Sequence, residues 1–169
     1  NIPCGAGYGG GSSNAITAIK AVLEISSLNI SNSELQEIAS IIGSDCSFFL
    51  NPTPSIMSGT GDIIKPIEKV IKEQLTGLDI LLYKPGFSIN TKIGYKNLDS
   101  NSFLGPLFFK NLLDDFSATN DLSRIIYNSF SEHTLKKYFS LKVLLSEFNR
   151  NNVPSLLSGS GSGCFSLLL

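Results

Sequence analysis

PCGAGYGGGSSNA, residues 3–15, sets Gly5, Gly7, Gly9, Gly10 and Gly11 ahead of two hydroxyls, Ser12 and Ser13, and then runs into an apolar segment with helical spacing. Glycine lets a backbone take positive φ and approach a ligand with no Cβ in the way, and the first amides of the following helix have no intrahelical partner. Together with the helix dipole those amides favour a phosphate, so the stretch reads as an anion-binding loop.

Three kinds of phosphate loop compete for these residues. Gly5-x-Gly7-x-x-Gly10 fits the dinucleotide fingerprint, but that pattern needs a second strand ending in an acid after the helix. Residues 26–36, SSLNISNSELQ, are polar and then helical again, which removes the Rossmann reading. A Walker loop needs Lys before its Ser/Thr, and Gly10-Gly11-Ser12-Ser13 carries none. Two readings remain. One is a lysine-free loop whose amides and Ser12 and Ser13 hydroxyls hold phosphates, with a magnesium ion supplying positive charge and Ser13 a candidate ligand to it. The other is a glycine-rich turn with no ligand.

Composition sets the bounds. The chain has 169 residues, 42% apolar and 16% charged, enough for a real core in one or two small domains. Its formal charge of -1 supplies no basic field for nucleic acid or an anionic membrane, so any anion site is local. Cys4, Cys46 and Cys164 are odd in number and form no CxxC pair, which argues against a disulfide framework and a zinc site. The apolar runs are too short for a membrane span. The start at Asn1 and the apolar end Leu167-Leu168-Leu169 suggest a piece of a longer protein.

In chain order, the apolar spacing predicts a helix over 13–25, and Ser31 with Glu34 forms a capping box for a second helix that Gly43 closes. Residues 43–50 read as a turn carrying Asp45 and leading into an apolar segment. Pro54–Ser58 and Asp62–Ile67 flank Gly59-Thr60-Gly61 as a hairpin, and Leu78–Lys84 reads as a buried strand. Short helices are predicted within 91–98 and from Pro106 to Leu113. Asn120 and Asp121 offer a cap for a helix Leu122–Phe130, and Glu132–Asn149 reads as one longer helix. Strands Pro154–Leu157 and Cys164–Leu169 enclose a second glycine cluster, Ser158–Gly163. The order predicts an α+β sandwich with helices on one face of a mostly antiparallel sheet.

PCGAGYGGGSSNA resembles the ATP loop of the superfamily that includes galactokinase, homoserine kinase, mevalonate kinase and phosphomevalonate kinase. The likeness continues in IIGSDCSFFL, SGTGDIIKPI, PGFSINTKIGYKNL, TNDLS and LLSGSGSGCFSLLL, in family order over almost the whole chain. The Gly-Gly-Gly-Ser-Ser-Asn form is similar to the branch acting on a cytidine diphosphate-linked erythritol in isoprenoid precursor synthesis. The chain departs from the family in Tyr8 for Leu, Ser47 for Pro and Ser123 for an acid. The resemblance implies a ribosomal-protein-like N-terminal part, incomplete here, over residues 1–76 and a truncated, ferredoxin-like C-terminal part over 77–169.

It also implies roles. ATP would be held by Pro3, Cys4, Gly5, Ala6, Gly7, Tyr8, Gly9, Gly10, Gly11, Ser12 and Ser13, with Mg. Asp45 falls on the family's catalytic aspartate, although spacing alone makes it a turn or cap residue. The family pairs that aspartate with a lysine upstream of the matched region, so these residues alone are expected to be inactive. Asp45, Thr91, Tyr95, Gly159, Ser160 and Gly161 would contact the substrate. Tyr95 would offer its ring to a cytosine, or simply pack its helix onto the sheet, and Ser158–Gly163 could equally be a plain hairpin turn. Cys46 reads as a buried structural thiol and His133 as a solvated residue. The implied partners are ATP and a small-molecule alcohol, with no nucleic acid or membrane. The expected state is a monomer or weak homodimer in bacterial cytoplasm or a plastid-type organelle. Another kinase of the superfamily and a non-catalytic nucleotide-binding protein are the alternatives.

Overall fold

The apolar residues spaced after the glycines build α1 (Gly10–Ser26) in the computed structural model, which describes residues 2–67, 69–96, 98, 104–119 and 121–168. The helix starts three residues before the predicted Ser13 because Gly10, Gly11 and Ser12 join its first turn through backbone alone. Ser31 then caps α2 (Asn32–Ile42): its hydroxyl accepts from the Glu34 amide at 3.2 Å, and its own amide donates to the Glu34 carboxylate at 2.8 Å. The segment after Asp45, read as part of a turn, closes into a short helix, α3 (Cys46–Leu50).

These helices share the unit Gly9–Thr76 with the antiparallel hairpin β1 (Ser55–Ser58) and β2 (Ile63–Pro66), which turns at the predicted Gly59-Thr60-Gly61. Helix α4 (Lys69–Leu75), absent from the sequence expectation, follows. Ile16, Ala39 and Cys46 are the buried centre, with Ile19, Phe49 and Leu50 around them. Cys46 is thus the structural thiol expected. Lys20 of α1 donates to the carbonyls of Phe49 at 3.3 Å and Leu50 at 2.8 Å, satisfying the open C-terminal end of α3 and fixing it to α1.

The other unit joins Asn1–Tyr8 to Gly77–Leu169. Its sheet has the order β3 (Asp79–Tyr83), β5 (Cys164–Leu168), β4 (Ser155–Leu157), antiparallel throughout, with Tyr83 and Leu157 both opposite Cys164. Around the sheet run α5 (Thr91–Lys96), α6 (Pro106–Thr119), α7 (Ser131–Lys137) and α8 (Phe139–Arg150). Leu141 and Leu145 of α8 pack with Leu157 and Cys164 against Tyr83, Phe87 and Tyr138, so helix covers one sheet face as expected for α+β. On the buried face the facing hydroxyls of Ser155 and Ser166 bond to each other at 2.6 Å.

Three expectations need correction. Leu78–Lys84 does form a strand, but Ile80 and Leu82 are 55% and 56% exposed. A continuous apolar run suggests burial on both faces, whereas β3 is an edge strand in which Leu81, 41% exposed, is also open to solvent. The helix expected over 122–130 is a single 3₁₀ turn, Leu122–Arg124. The Asp121 carboxylate binds the Ser123 amide at 3.0 Å and its hydroxyl at 2.6 Å, and such local side-chain bonds compete with helix. The helix expected over 132–149 breaks at Tyr138, which leaves helical backbone and stacks its ring on Phe87, 5.0 Å away and 11° from parallel. Asn120 of the proposed cap and Leu169 of the last strand lie outside the described residues.

Candidate functional site

Residues 6 and 7 of the first glycine stretch are bonded to the second cluster. Gly5, Gly7 and Gly9 take φ of 65°, 78° and 70°, while Ala6 and Tyr8 between them keep negative φ, an alternation that turns successive amides toward one side. Two of its carbonyls are bonded to the protein. Ala6 O accepts from the Gly163 amide at 3.0 Å, and Gly7 O accepts from the Ser158 hydroxyl at 2.9 Å. The amides of Cys4 to Tyr8 donate to no acceptor among the described residues. A loop with two of its oxygens bonded inward and its N–H groups free has the polarity an anion requires.

Tyr8 completes this anchoring. Its hydroxyl lies 2.7 Å from the carbonyl of Tyr83 and 2.8 Å from that of Cys164, reaching the strand pair β3–β5. Its hydroxyl therefore acts as a strut under the loop. Gly7 and Gly163 are required by close approach: a Cβ on Gly7 would overlap the Ser158 carbonyl, and one on Gly163 the Ala6 carbonyl and the Tyr8 ring.

Burial raises the proton affinity of this corner. It pushes the Tyr8 and Tyr83 phenols above their ordinary value and the Cys164 thiol up to about 11. A group that holds its proton more tightly when folded contributes fully below its unfolded pKa, and that stability is lost as pH rises through the folded value. Thermal melts should therefore show stability unaffected by these groups up to about the ordinary thiol value of 9.0 and falling as pH approaches about 11. Replacing Cys164 with Ser should flatten part of that fall.

The second cluster is itself held in place. Asn128 donates its amide to the carbonyls of Leu157 at 2.8 Å and Gly159 at 2.7 Å, while its Oδ1 takes the Phe130 amide at 2.9 Å. Asn128 was not singled out in the sequence; an Asn-Ser pair between two aromatics, Tyr127 and Phe130, is its one signal. Thr91, first residue of α5, and Ser160, 69 residues further on, share a hydroxyl–hydroxyl bond of 2.9 Å. Two residues of the expected substrate set thus meet. Tyr95 stands 60% exposed with its ring edge-on to Phe130 at 5.0 Å, so it packs its helix and still presents a free face.

In the unit Gly9–Thr76, α1 begins with Gly9 as N-cap, no side-chain cap bond and no acid in its first turn. The amides of Gly10, Gly11 and Ser12 have no protein acceptor among the described residues, which leaves a helix N-terminus open to an anion. Ser12 and Ser13 flank it, half-buried. Asp45 holds the N-cap position of α3 but makes no cap bond, and its exposed carboxylate has no hydrogen-bond or ion-pair partner among the described residues. Its backbone is fixed on both sides, by the Cys46 amide bonded to Gly43 O at 3.0 Å and by Gly61 packed against Ser44. His133, expected to be solvated, is half-buried beside α5.

Residues 1–59 match the family model described as GHMP kinases N terminal domain. A protein of Thermodesulfovibrio yellowstonii named 4-diphosphocytidyl-2-C-methyl-D-erythritol kinase is 38% identical over 98% of this chain and 59% of its own length. Proteins of the same name from Clostridium botulinum (strain Loch Maree) and Bacteroides fragilis (strain ATCC 25285) are 36% and 28% identical over 99% of the chain. A crystal structure of 4-(cytidine 5'-diphospho)-2C-methyl-D-erythritol kinase superposes with a TM-score of 0.72 at 25% identity, covering 99% of this chain and 59% of that one. The chain spans about six-tenths of the length of the relatives it matches, and its fold is that of this kinase structure.

Proposed function

We propose, for a chain whose homologues over nearly its whole length are named 4-diphosphocytidyl-2-C-methyl-D-erythritol kinase, that it is part of an enzyme of that activity. It would transfer the γ-phosphoryl group of ATP to the 2-hydroxyl of 4-diphosphocytidyl-2-C-methyl-D-erythritol in isoprenoid precursor synthesis. The observation that carries the reading is the loop 3–8, with the Ala6 and Gly7 carbonyls bonded into the protein and the amides of residues 4–8 unclaimed among the described residues.

In this reading the free amides of residues 4–8 and of the α1 N-terminus hold the nucleotide phosphates. Asp45 orients the acceptor hydroxyl and takes its proton as the new P–O bond forms and ADP leaves. In a loose transition state that proton departs late, so position matters more than basicity, and a fixed, unpaired carboxylate suits the role. Thr91 and Ser160, joined through their hydroxyls, would contact the diphosphate or erythritol part, and the free face of Tyr95 would take the cytosine. Gly159 and Gly161 would let that turn approach the substrate.

Magnesium would neutralise charge on the phosphates. Among the described residues no group of three or more His, Cys, Asp or Glu forms a metal cage. The ion would be held chiefly by phosphate oxygens and water, with the Ser13 hydroxyl as a protein oxygen. Residues 1–76 would then be the later part of an ATP-binding domain and 77–169 the start of a second kinase domain. The enzyme would act as a monomer or weak homodimer on dissolved small molecules in bacterial cytoplasm or a plastid-type organelle. Among the described residues no helix is long and apolar enough to cross a membrane.

Turnover of ATP by the full-length protein against the cytidine substrate, homoserine and mevalonate tests the reading. The expected result is phosphorylation of the cytidine substrate alone; preference for either of the others would move the chain elsewhere in the superfamily.

A further inference from the structure

A cleft of about 260 Å³ opens beside α7, lined by residues of the segment 88–94 and of 130–138. It is separate from the residues assigned above: Ile93 and Gly94 of α5 line it, whereas Thr91 and Tyr95 do not. We propose that this cleft binds a compact organic anion, a phosphate or carboxylate carried on a small apolar group.

Chemistry divides the cleft into two regions. Ile89, Ile93 and the Phe130 ring supply apolar wall. Against them stand Ser88, His133, Lys137 and Tyr138, and no carboxylate is among the described lining residues. His133 and Lys137 are four residues apart on α7, so they project from one helix face. Among the described residues, the Ser88 and Tyr138 hydroxyls, the His133 imidazole and the Lys137 ammonium have no hydrogen-bond or ion-pair partner. The Lys137 ammonium rests only over the Tyr138 ring, 5.5 Å from its centre. Lys136, on the neighbouring face, is instead paired with Glu132 at 2.7 Å, so a nearby acid neutralises that lysine and not Lys137. An apolar wall with a few convergent polar groups is the composition of a small-molecule site, and a lone cation among donors selects an anion.

The walls are firm. Tyr138 is stacked on Phe87 at 5.0 Å, Asn90 Oδ1 holds the Lys92 amide at 3.0 Å, and Phe130 is fixed through its amide by Asn128. A preformed cleft loses little entropy on binding, which suits a ligand with few atoms.

Calorimetric titration of the full-length protein with phenyl phosphate, inorganic phosphate and benzyl alcohol, each with and without saturating ATP, tests the site. Phenyl phosphate should bind with a dissociation constant on the order of 1 mM. Inorganic phosphate should bind several-fold more weakly, and benzyl alcohol should give no heat. Lys137→Gln, an exposed change that spares the fold, should weaken phenyl phosphate about tenfold, and His133→Gln should weaken it by a smaller factor. Equal affinity in the wild type and Lys137→Gln would overturn the proposal. So would phenyl phosphate heats that appear only without ATP, since the ligand would then be occupying the nucleotide loop.

Discussion

Asp45→Asn in the full-length protein is expected to lower kcat by roughly two to four orders of magnitude while leaving ATP affinity almost unchanged. The amide keeps the shape of the side chain but cannot accept the alcohol proton. Folding should survive, because the Asp45 side chain makes no cap bond and the turn around it is held by backbone contacts from Gly43 and Gly61. Steady-state kinetics together with nucleotide titration separates the two effects. A variant that turns over at the wild-type rate would remove Asp45 from the chemistry and return it to the turn role that its spacing suggests.

Gly7→Ala carries the other large effect, and it is one of structure. The backbone there has φ of 78°, and the added Cβ would overlap the Ser158 carbonyl, a main-chain atom that cannot rotate away. Left-handed backbone in a non-glycine residue costs about 1–3 kcal/mol by itself, and the overlap adds to it. A loss of roughly 3 kcal/mol or more is expected in denaturant melts, together with a raised KM for ATP. Gly11→Ala is the control, since a Cβ there meets nothing within 4 Å. Equal effects of the two substitutions would show that the stitching of the loop to the second glycine turn has little energetic weight.

Local features of this chain were legible without coordinates. The helix after the glycines, the Ser31–Glu34 cap, the hairpin at Gly59-Thr60-Gly61 and the final strands all follow from spacing and turn chemistry within a few residues. What escaped depends on distant partners. Nothing near Leu78–Lys84 says that β3 is an edge strand, and nothing near Tyr138 says that Phe87 waits to stack on it and interrupt a helix. The site divides in the same way. The glycines announced an anion loop, but the strut from the Tyr8 hydroxyl to two strands, the Asn128 clamp and the bond between Thr91 and Ser160 join residues that sequence spacing cannot bring together.

The bond from the Ser158 hydroxyl to Gly7 joins residues 151 apart, and Tyr8 reaches Cys164 across 156. During synthesis the loop therefore leaves the ribosome long before the turn that shapes it, by on the order of ten seconds at ordinary elongation rates. Through that interval its carbonyls have only water to bond, and five flexible glycines leave it without a set form. A nascent chain holding residues 3–8 without 158–164 would lack the bonds that hold this loop in its folded form. The loop is made before the turn that shapes it and takes form only after that turn has joined it.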